Sequence, residues 1–446
     1  MPDLDAAAVR DEAVRHLQAL IRLDTVNPPG NETLAAEYLA DVLRADGIEP
    51  VILEATPGRG NLVVRLRGSG ELPPLLLMSH TDVVPAEADQ WTHPPFAGDV
   101  ADGYVWGRGA VDMKNMVAME LMVMLLLRRL DLPLQRDVIF MAAADEEVGG
   151  QYGAAWLVDN HPEQIRAEYA LNEGGGFAYE IGGTLFYTCQ TAEKGYARFA
   201  LRTRGRPGHA SVPHEDNAVQ HLATALQRLG ERPLPLHVTA TVRTMLETIA
   251  RHQTPEVRAG LETLLNGGGT EPESIPLRED LRRVFVAMLH NTATPTMLEA
   301  GSRVNVIPSV AEAHVDGRIL PGQTRESFRA ELEAVIGDHA SVQFLDYGPP
   351  LESDLASPLF DTIRQVLAEQ VPDAILMPYM LTGATDAKHV VRLGTRVYGF
   401  SPVRYDPHTA VFGLAHAHDE RIAVDSMGFG TNVLFEVTRC FCTANQ

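Results

Sequence analysis

The chain has 446 residues, and 37 Lys and Arg against 59 Asp and Glu leave a formal net charge of −22. At roughly 100–200 residues per domain this length predicts two or three domains, and 45% apolar with 22% charged residues excludes wholesale disorder. Such an acidic excess repels phosphate backbones and anionic headgroups, which argues against nucleic acid and membrane partners.

The start of the chain carries Asp3, Asp5, Asp11 and Glu12 and no apolar run, so it lacks the pattern of a secretion signal. Residues 4–47 show apolar positions at helical spacing in two segments, broken at Asn27-Pro28-Pro29-Gly30, where two prolines and a glycine cannot continue a helix. Apolar runs at 61–66, 74–79, 138–144 and 169–172 predict strands, with helices at 115–130 and 153–160 between them. Alternation of this kind implies a largely parallel sheet covered on both faces. The greasiest stretch, 116–127, contains Glu120 and falls short of the ~20 apolar residues that span a bilayer. Its methionines predict core packing.

Near Gly195 the pattern changes. Residues 196–206 alternate, with Arg198, Arg202, Arg204 and Arg206 on one face and Phe199, Leu201 and Thr203 on the other, as on a half-exposed strand. Helices are predicted at 218–229, 255–265 and 324–336, a glycine run at 267–269, and strands at 303–319 and 342–347. Beyond Pro349 the α/β pattern returns, with a helix at 358–369, runs at 396–400 and 411–414, and a closing helix at 425–439. The expectation is an α/β catalytic domain formed by residues 1–194 and 349–446, with an α+β domain, 195–348, inserted into it. Cys189, Cys440 and Cys442 are an odd set with no disulfide framework, which predicts a reducing cytosol.

Five segments place metal-ligand residue types after apolar runs: His80-Thr81-Asp82 after 73–79, Asp112 after 107–111, Asp145-Glu146-Glu147 after 139–144, Glu173 after 170–172, and His416-Ala417-His418 after 411–415. Taken singly, each residue is more often an ordinary surface or core group than a ligand. Ligands of open α/β sheets bind at the carboxyl ends of strands, so these side chains are candidates to converge on one crevice. Imidazole and carboxylate suit Zn²⁺, and two ions sharing one carboxylate can activate a water. One carboxylate must stay unligated as the base, and the pair Glu146-Glu147 supplies both roles.

The segments Ser79-His80-Thr81-Asp82-Val83-Val84-Pro85, Gly107-Arg108-Gly109-Ala110-Val111-Asp112-Met113-Lys114, Asp145-Glu146-Glu147, Asn172-Glu173-Gly174 and His416-Ala417-His418-Asp419-Glu420 resemble the successive signatures of the dizinc amidohydrolase and metallopeptidase family of aminoacylase, acetylornithine deacetylase, succinyl-diaminopimelate desuccinylase and glutamate carboxypeptidase. The resemblance implies His80 and Glu173 on one zinc, Glu147 and a C-terminal His on the other, Asp112 bridging, Glu146 as general base, Asp82 orienting His80, and a cis peptide after Asp112. His416 and His418 would share one side of a strand; the family pattern sets the ligand four residues before a Glu, and Glu420 then selects His416.

Gly205-Arg206-Pro207-Gly208-His209-Ala210-Ser211 resembles the family's lid and dimerisation segment, which implies that His209 serves the active site of a second copy as an oxyanion donor. Asn305, Arg318, and Thr385 and Lys388 of Gly383-Ala384-Thr385-Asp386-Ala387-Lys388 match positions associated with substrate, although Lys388 stands where the family commonly has Arg, a point charge in place of a planar fork. Asn27-Pro28-Pro29-Gly30-Asn31-Glu32 also resembles a family signature and reads as structural, and Gly174-Gly175-Gly176 lacks the spacing of a phosphate cradle. The expected protein is a cytoplasmic homodimer with two Zn²⁺ per subunit, or Co²⁺ or Mn²⁺, acting on an N-acyl amino acid or a small peptide with a free carboxylate. Deacylase and dipeptidase or carboxypeptidase activity both fit. A dimetal phosphoesterase is disfavoured by the order His80-Thr81-Asp82, and a silent scaffold by the completeness of the ligand set.

Overall fold

Apolar runs flanked by turn residues become buried strands when helices cover both faces of the sheet. In the computed structural model, which describes residues 5–231, 233–267, 279–338, 340–407, 409 and 411–444, Arg136–Ala143, Leu72–His80, Tyr169–Asn172 and Arg396–Gly399 lie side by side in that order and run parallel. Gly60–Leu66 and Val51–Glu54 add antiparallel strands at one side, and Thr184–Glu193 at the other. The fold is thus the expected α/β arrangement with a largely parallel central sheet. His80 pairs level with Ala143, so adjacent strands end together and release their following residues at one edge.

The helix Lys114–Arg129 is buried along its length from Lys114 to Leu127, as a helix apolar on all sides must be. It packs against Ala6–Arg22 and Val424–Cys442. Among the described residues no helix is long and apolar enough to cross a membrane.

The chain forms two compact units, one of Met1–Thr191, Ser353–Pro378 and Thr385–Gln446, the other of Ala192–Glu352 and Tyr379–Ala384. The second unit contains a four-stranded antiparallel sheet ordered Thr292–Ala300, Val310–Ile319, Gly195–Arg204, Ala340–Gly348. One face buries Phe199, Leu201, Ala313 and Val315 against Leu222, Phe328 and Leu332 of the helices Ala218–Glu231 and Arg325–Ile336. The other face carries Arg198 and Arg202, paired with Asp316, Asp346 and Glu312.

Some local expectations change. The run 303–319 is divided into Val306–Ile307 and Val310–Ile319, because Pro308 between them has no amide to give a ladder. Val411–Leu414 is a 3₁₀ turn and not a strand. Val51–Glu54, Thr184–Glu193 and Ala374–Leu381 are strands, and Ala240–Arg251 and Glu279–Leu289 helices, that no sequence run announced. Leu4, where the first predicted helix begins, and Gly268 and Gly269 of the glycine run lie outside the described residues.

Candidate metal centre and active site

Three neighbouring parallel strands deliver the first group of side chains. Leu72–His80 ends on His80, Arg136–Ala143 is followed by Asp145, Glu146 and Glu147, and Tyr169–Asn172 is followed by Glu173. The other two segments arrive differently from the expectation. Asp112 sits in the turn between Tyr104–Trp106 and the helix Lys114–Arg129, with a cis peptide to Met113. His416 sits in a turn after the 3₁₀ segment with φ of 61°. Strand alternation therefore does not govern His416 and His418, whose side chains diverge: His416 enters the cluster, and His418 Nε2 meets Glu87 at 3.3 Å.

Asp112 stands between the two imidazoles. Its Oδ1 lies 3.2 Å from His80 Nε2 and its Oδ2 3.2 Å from His416 Nε2. His80 Nε2 is also 3.8 Å from Glu173 Oε1, and His416 Nε2 is 3.0 Å from Glu147 Oε2. Two triads result, His80–Asp112–Glu173 and Asp112–Glu147–His416, each with its donor atoms within 4.8 Å of one another. Glu147 Oε1 is buried with no hydrogen-bond partner among the described residues. A carboxylate oxygen in that position costs free energy unless a cation meets it, so the residues present fit a divalent ion in each triad.

The electrostatics point the same way. Burial opposes ionisation of Asp112, yet the imidazoles of His416 and His80 hold its carboxyl below the ordinary range. Burial likewise works against charge on His80, and Asp112 and Asp82 outweigh it and raise its pKa. Hydrogen bonds to Asp112 and Glu147 push His416 up to about 10, and burial pushes Glu173 up to about 8. Positive charge is favoured at both ends of Asp112.

Glu146, 12% exposed, belongs to neither triad. Burial and the nearby Glu173 raise its pKa well above the usual value, and Lys388 Nζ lies 3.9 Å from its Oε1. Asp82 sets both the imidazole and this turn: Oδ1 is 3.4 Å from His80 Nδ1 and accepts the Glu146 amide, while Oδ2 accepts the Glu147 amide, each at 3.1 Å.

Several supporting residues escaped the sequence. Asn27 Nδ2 donates to Asp82 Oδ2 at 2.8 Å and to Asp145 Oδ1 at 3.1 Å, so the loop read as structural also positions the acidic turn. Arg59 Nη2 donates to Asp145 Oδ1 at 2.6 Å and, with Nε, grips Glu32 at 2.8 Å through both oxygens. Glu32 Oε1 in turn accepts the Asp145 amide. The signature ending in Glu32 was the available signal for Asn27 and Glu32; Arg59, in a run without a motif, had none.

The remaining candidates fall as follows. Thr385 is buried and its hydroxyl accepts from Asn172 Nδ2 at 2.9 Å and from the Ala387 amide, beside Glu173. In the second unit, Arg318 Nε donates to Asp316 at 2.9 Å. There the exposed Asn305 accepts the Ala210 amide through its carbonyl, next to His209. His209 Nδ1 accepts from the amide of Ser211 at 3.2 Å and stands 2.7 Å from its hydroxyl, which leaves the proton of a neutral ring on Nε2. The run Gly174-Gly175-Gly176 is required by close approach: a Cβ on Gly175 would meet Gly399 O at 2.3 Å, and Gly176 has φ of +89°.

An α/β fold in which three strand ends and two turns gather two His–carboxylate triads around one shared Asp has the site of a metal-dependent hydrolase. The chain belongs to peptidase family M20/M25/M40, whose model matches residues 76–439. It is 28% identical over 443 residues to the N-fatty-acyl-amino acid synthase/hydrolase PM20D1 of Bos taurus, covering 94% of this chain and 86% of that one. It is 27% identical over 415 residues to aminoacylase-1 of Homo sapiens, covering 90% and 88%. Among solved structures it is similar to an M20 family metallo-carboxypeptidase from Sulfolobus solfataricus, with TM-score 0.71 at 18% identity over 96% and 99% of the two chains. A dinuclear metal-binding M20 peptidase from Bacillus subtilis gives TM-score 0.61 at 14% identity over 98% and 99%.

Proposed function

We propose that this hydrolase cleaves the amide bond of N-acyl amino acids, with one Zn²⁺ held by His80, Asp112 and Glu173 and a second by Asp112, Glu147 and His416. The observation that carries the reading is the pair of triads sharing Asp112, with the unshared, half-buried Glu146 beside Lys388. Co²⁺ or Mn²⁺ would suit the same nitrogen and oxygen donors. What such a pair of cations supplies is a polarised scissile carbonyl and a more acidic attacking water.

Glu146 accepts the proton of that water and returns it to the leaving nitrogen, a cycle that suits a carboxyl whose pKa burial has raised. Asp82 holds His80 and the Glu146–Glu147 amides in register. Lys388, beside Glu146, offers a point charge for the free carboxylate of the released amino acid. Thr385 steadies Asn172 next to Glu173, at the border of the substrate site. His209 of a second copy donates its Nε2 proton to the developing oxyanion, with Asn305 and Arg318 as further substrate contacts. The unit Ala192–Glu352 serves as lid and dimerisation domain, and its edge strand Thr292–Ala300 exposes Met297 and Leu298 for a second copy. The three free cysteines suit the cytosol.

The relatives named for N-fatty-acyl amino acids and as aminoacylase support acyl substrates. The test is Glu146→Gln assayed on N-acyl amino acids, with dipeptides and nitrophenyl phosphate as contrasts. It is expected to keep two metal equivalents by elemental analysis and to lose about 10²–10⁴-fold in kcat. Full turnover in that variant would remove Glu146 from the reaction.

A further inference from the structure

We infer that Glu120 is a positioning residue of the metal centre: its carboxyl, held by the hydroxyl of Ser79, fixes the end of the strand that delivers His80 against the helix that follows Asp112. This rests on the metal-centre reading above. Glu120 and Ser79 both belong to the first compact unit and are 0% and 3% exposed, and Ser79 Oγ donates to Glu120 Oε2 at 2.7 Å. Glu120 Oε1 is buried with no hydrogen-bond partner among the described residues.

Packing alone does not call for an acid at this place. Every other residue from Met116 to Leu127 of the helix is apolar and buried. Burial raises the pKa of Glu120 well above 4.5, and the hydrogen bonds from Ser79 and the backbone of Met78 act against it. An incompletely bonded acid in an apolar interior costs stability. Its use is therefore to be sought where it makes contact, and that contact is the residue before His80.

Ser79 passes the constraint on directly. One planar peptide joins it to His80, so a side chain anchored at Ser79 fixes the plane from which the imidazole departs. Asp82 sets the ring from its other end, with Oδ1 3.4 Å from His80 Nδ1. His80 Nε2 and Asp112 Oδ1 are 3.2 Å apart, and the helix that bears Glu120 begins at Lys114, just after Asp112. The Ser79–Glu120 bond thus ties together the segments that supply His80 and the shared carboxylate, and a shift between them would change the spacing of the first triad.

The experiment loads the full chain with Co²⁺ and compares it with Glu120→Gln, Ser79→Ala and the pair Ser79→Ala with Glu120→Leu. It reads the Co²⁺ dissociation constant by chelator competition, the visible spectrum of the bound Co²⁺, and the urea midpoint of the metal-free protein. The paired variant removes both polar partners, so its metal-free midpoint should stay level or rise. Its Co²⁺ affinity is expected to fall about 10–100-fold with an altered spectrum, and its kcat on an N-acyl amino acid to fall at unchanged KM. Glu120→Gln keeps an acceptor for Ser79 and should hold the affinity within about twofold. A paired variant with unaltered affinity and spectrum overturns the proposal while the metal centre stands, and so does a Glu120→Gln protein as impaired as the pair. Should the paired variant fail to fold, Ser79→Ala decides, and unaltered Co²⁺ affinity and spectrum there overturn the proposal equally. An unaltered protein that takes up no Co²⁺ overturns the metal-centre reading and the proposal with it.

Discussion

The backbone amide of Asp112 donates to Glu420 Oε1 at 3.0 Å, across 308 residues of chain. The same carboxylate accepts from the amides of Val111 and Gly109 and from Arg108 Nη1. One fully buried acid thus holds the loop that presents the carboxylate common to both triads, and it sits four residues beyond His416.

Glu420→Ala would leave Arg108 buried without its partner and three amides without an acceptor. A loss of about 3–5 kcal/mol in unfolding free energy is expected, measured by urea denaturation. Metal affinity should fall about 10–100-fold, since the residue orients a ligand loop.

Removing each C-terminal imidazole separates their roles. His416→Ala is expected to lower bound metal from two equivalents to one, because its Nε2 meets both Asp112 and Glu147. His418→Ala should keep both equivalents and stability within about 1 kcal/mol, since its contact with Glu87 is an exposed pair. Elemental analysis after gel filtration reads the difference.

Arg59 reaches Glu32 and Asp145 from a nearly buried position. Arg59→Met strands two buried acids and is expected to cost about 3–5 kcal/mol. Arg59→Lys cannot reproduce the two-pronged grip, so its kcat should also fall while KM changes little. Steady-state kinetics together with thermal unfolding check both.

Acid stability tests His389, which stands 3.0 Å from the carbonyl of Gly149 through Nε2, just after the acidic turn. Burial lowers its pKa from 6.5 to about 4. Between those values the folded protein binds fewer protons than the unfolded chain, so stability rises with pH across this window and is lost as pH falls through it. His389→Gln should flatten the slope of unfolding free energy between pH 4 and 6.5, as followed by denaturant titration at each pH.

The sequence and the structure agree at many local decisions, though not at 303–319 or 411–414. Buried runs such as Leu72–His80 and Tyr169–Asn172, the break at Asn27-Pro28-Pro29-Gly30, and the alternation of Gly195–Arg204 each follow from neighbours along the chain. Ala374–Leu381 is a strand absent from the sequence expectations; Pro378 within it removes a ladder amide and counts against a strand.

By itself the sequence determined the α/β class, the inserted α+β unit and the residue types able to bind metal, since periodicity and short motifs are written in adjacent residues. The spacing to Glu420 already singles out His416, and only the tertiary structure decided that Asn27 and Arg59 brace Asp145 and that Glu420 closes the Asp112 loop. Those last outcomes depend on contacts between segments 86 to 308 residues apart, which leave no trace in neighbouring residues.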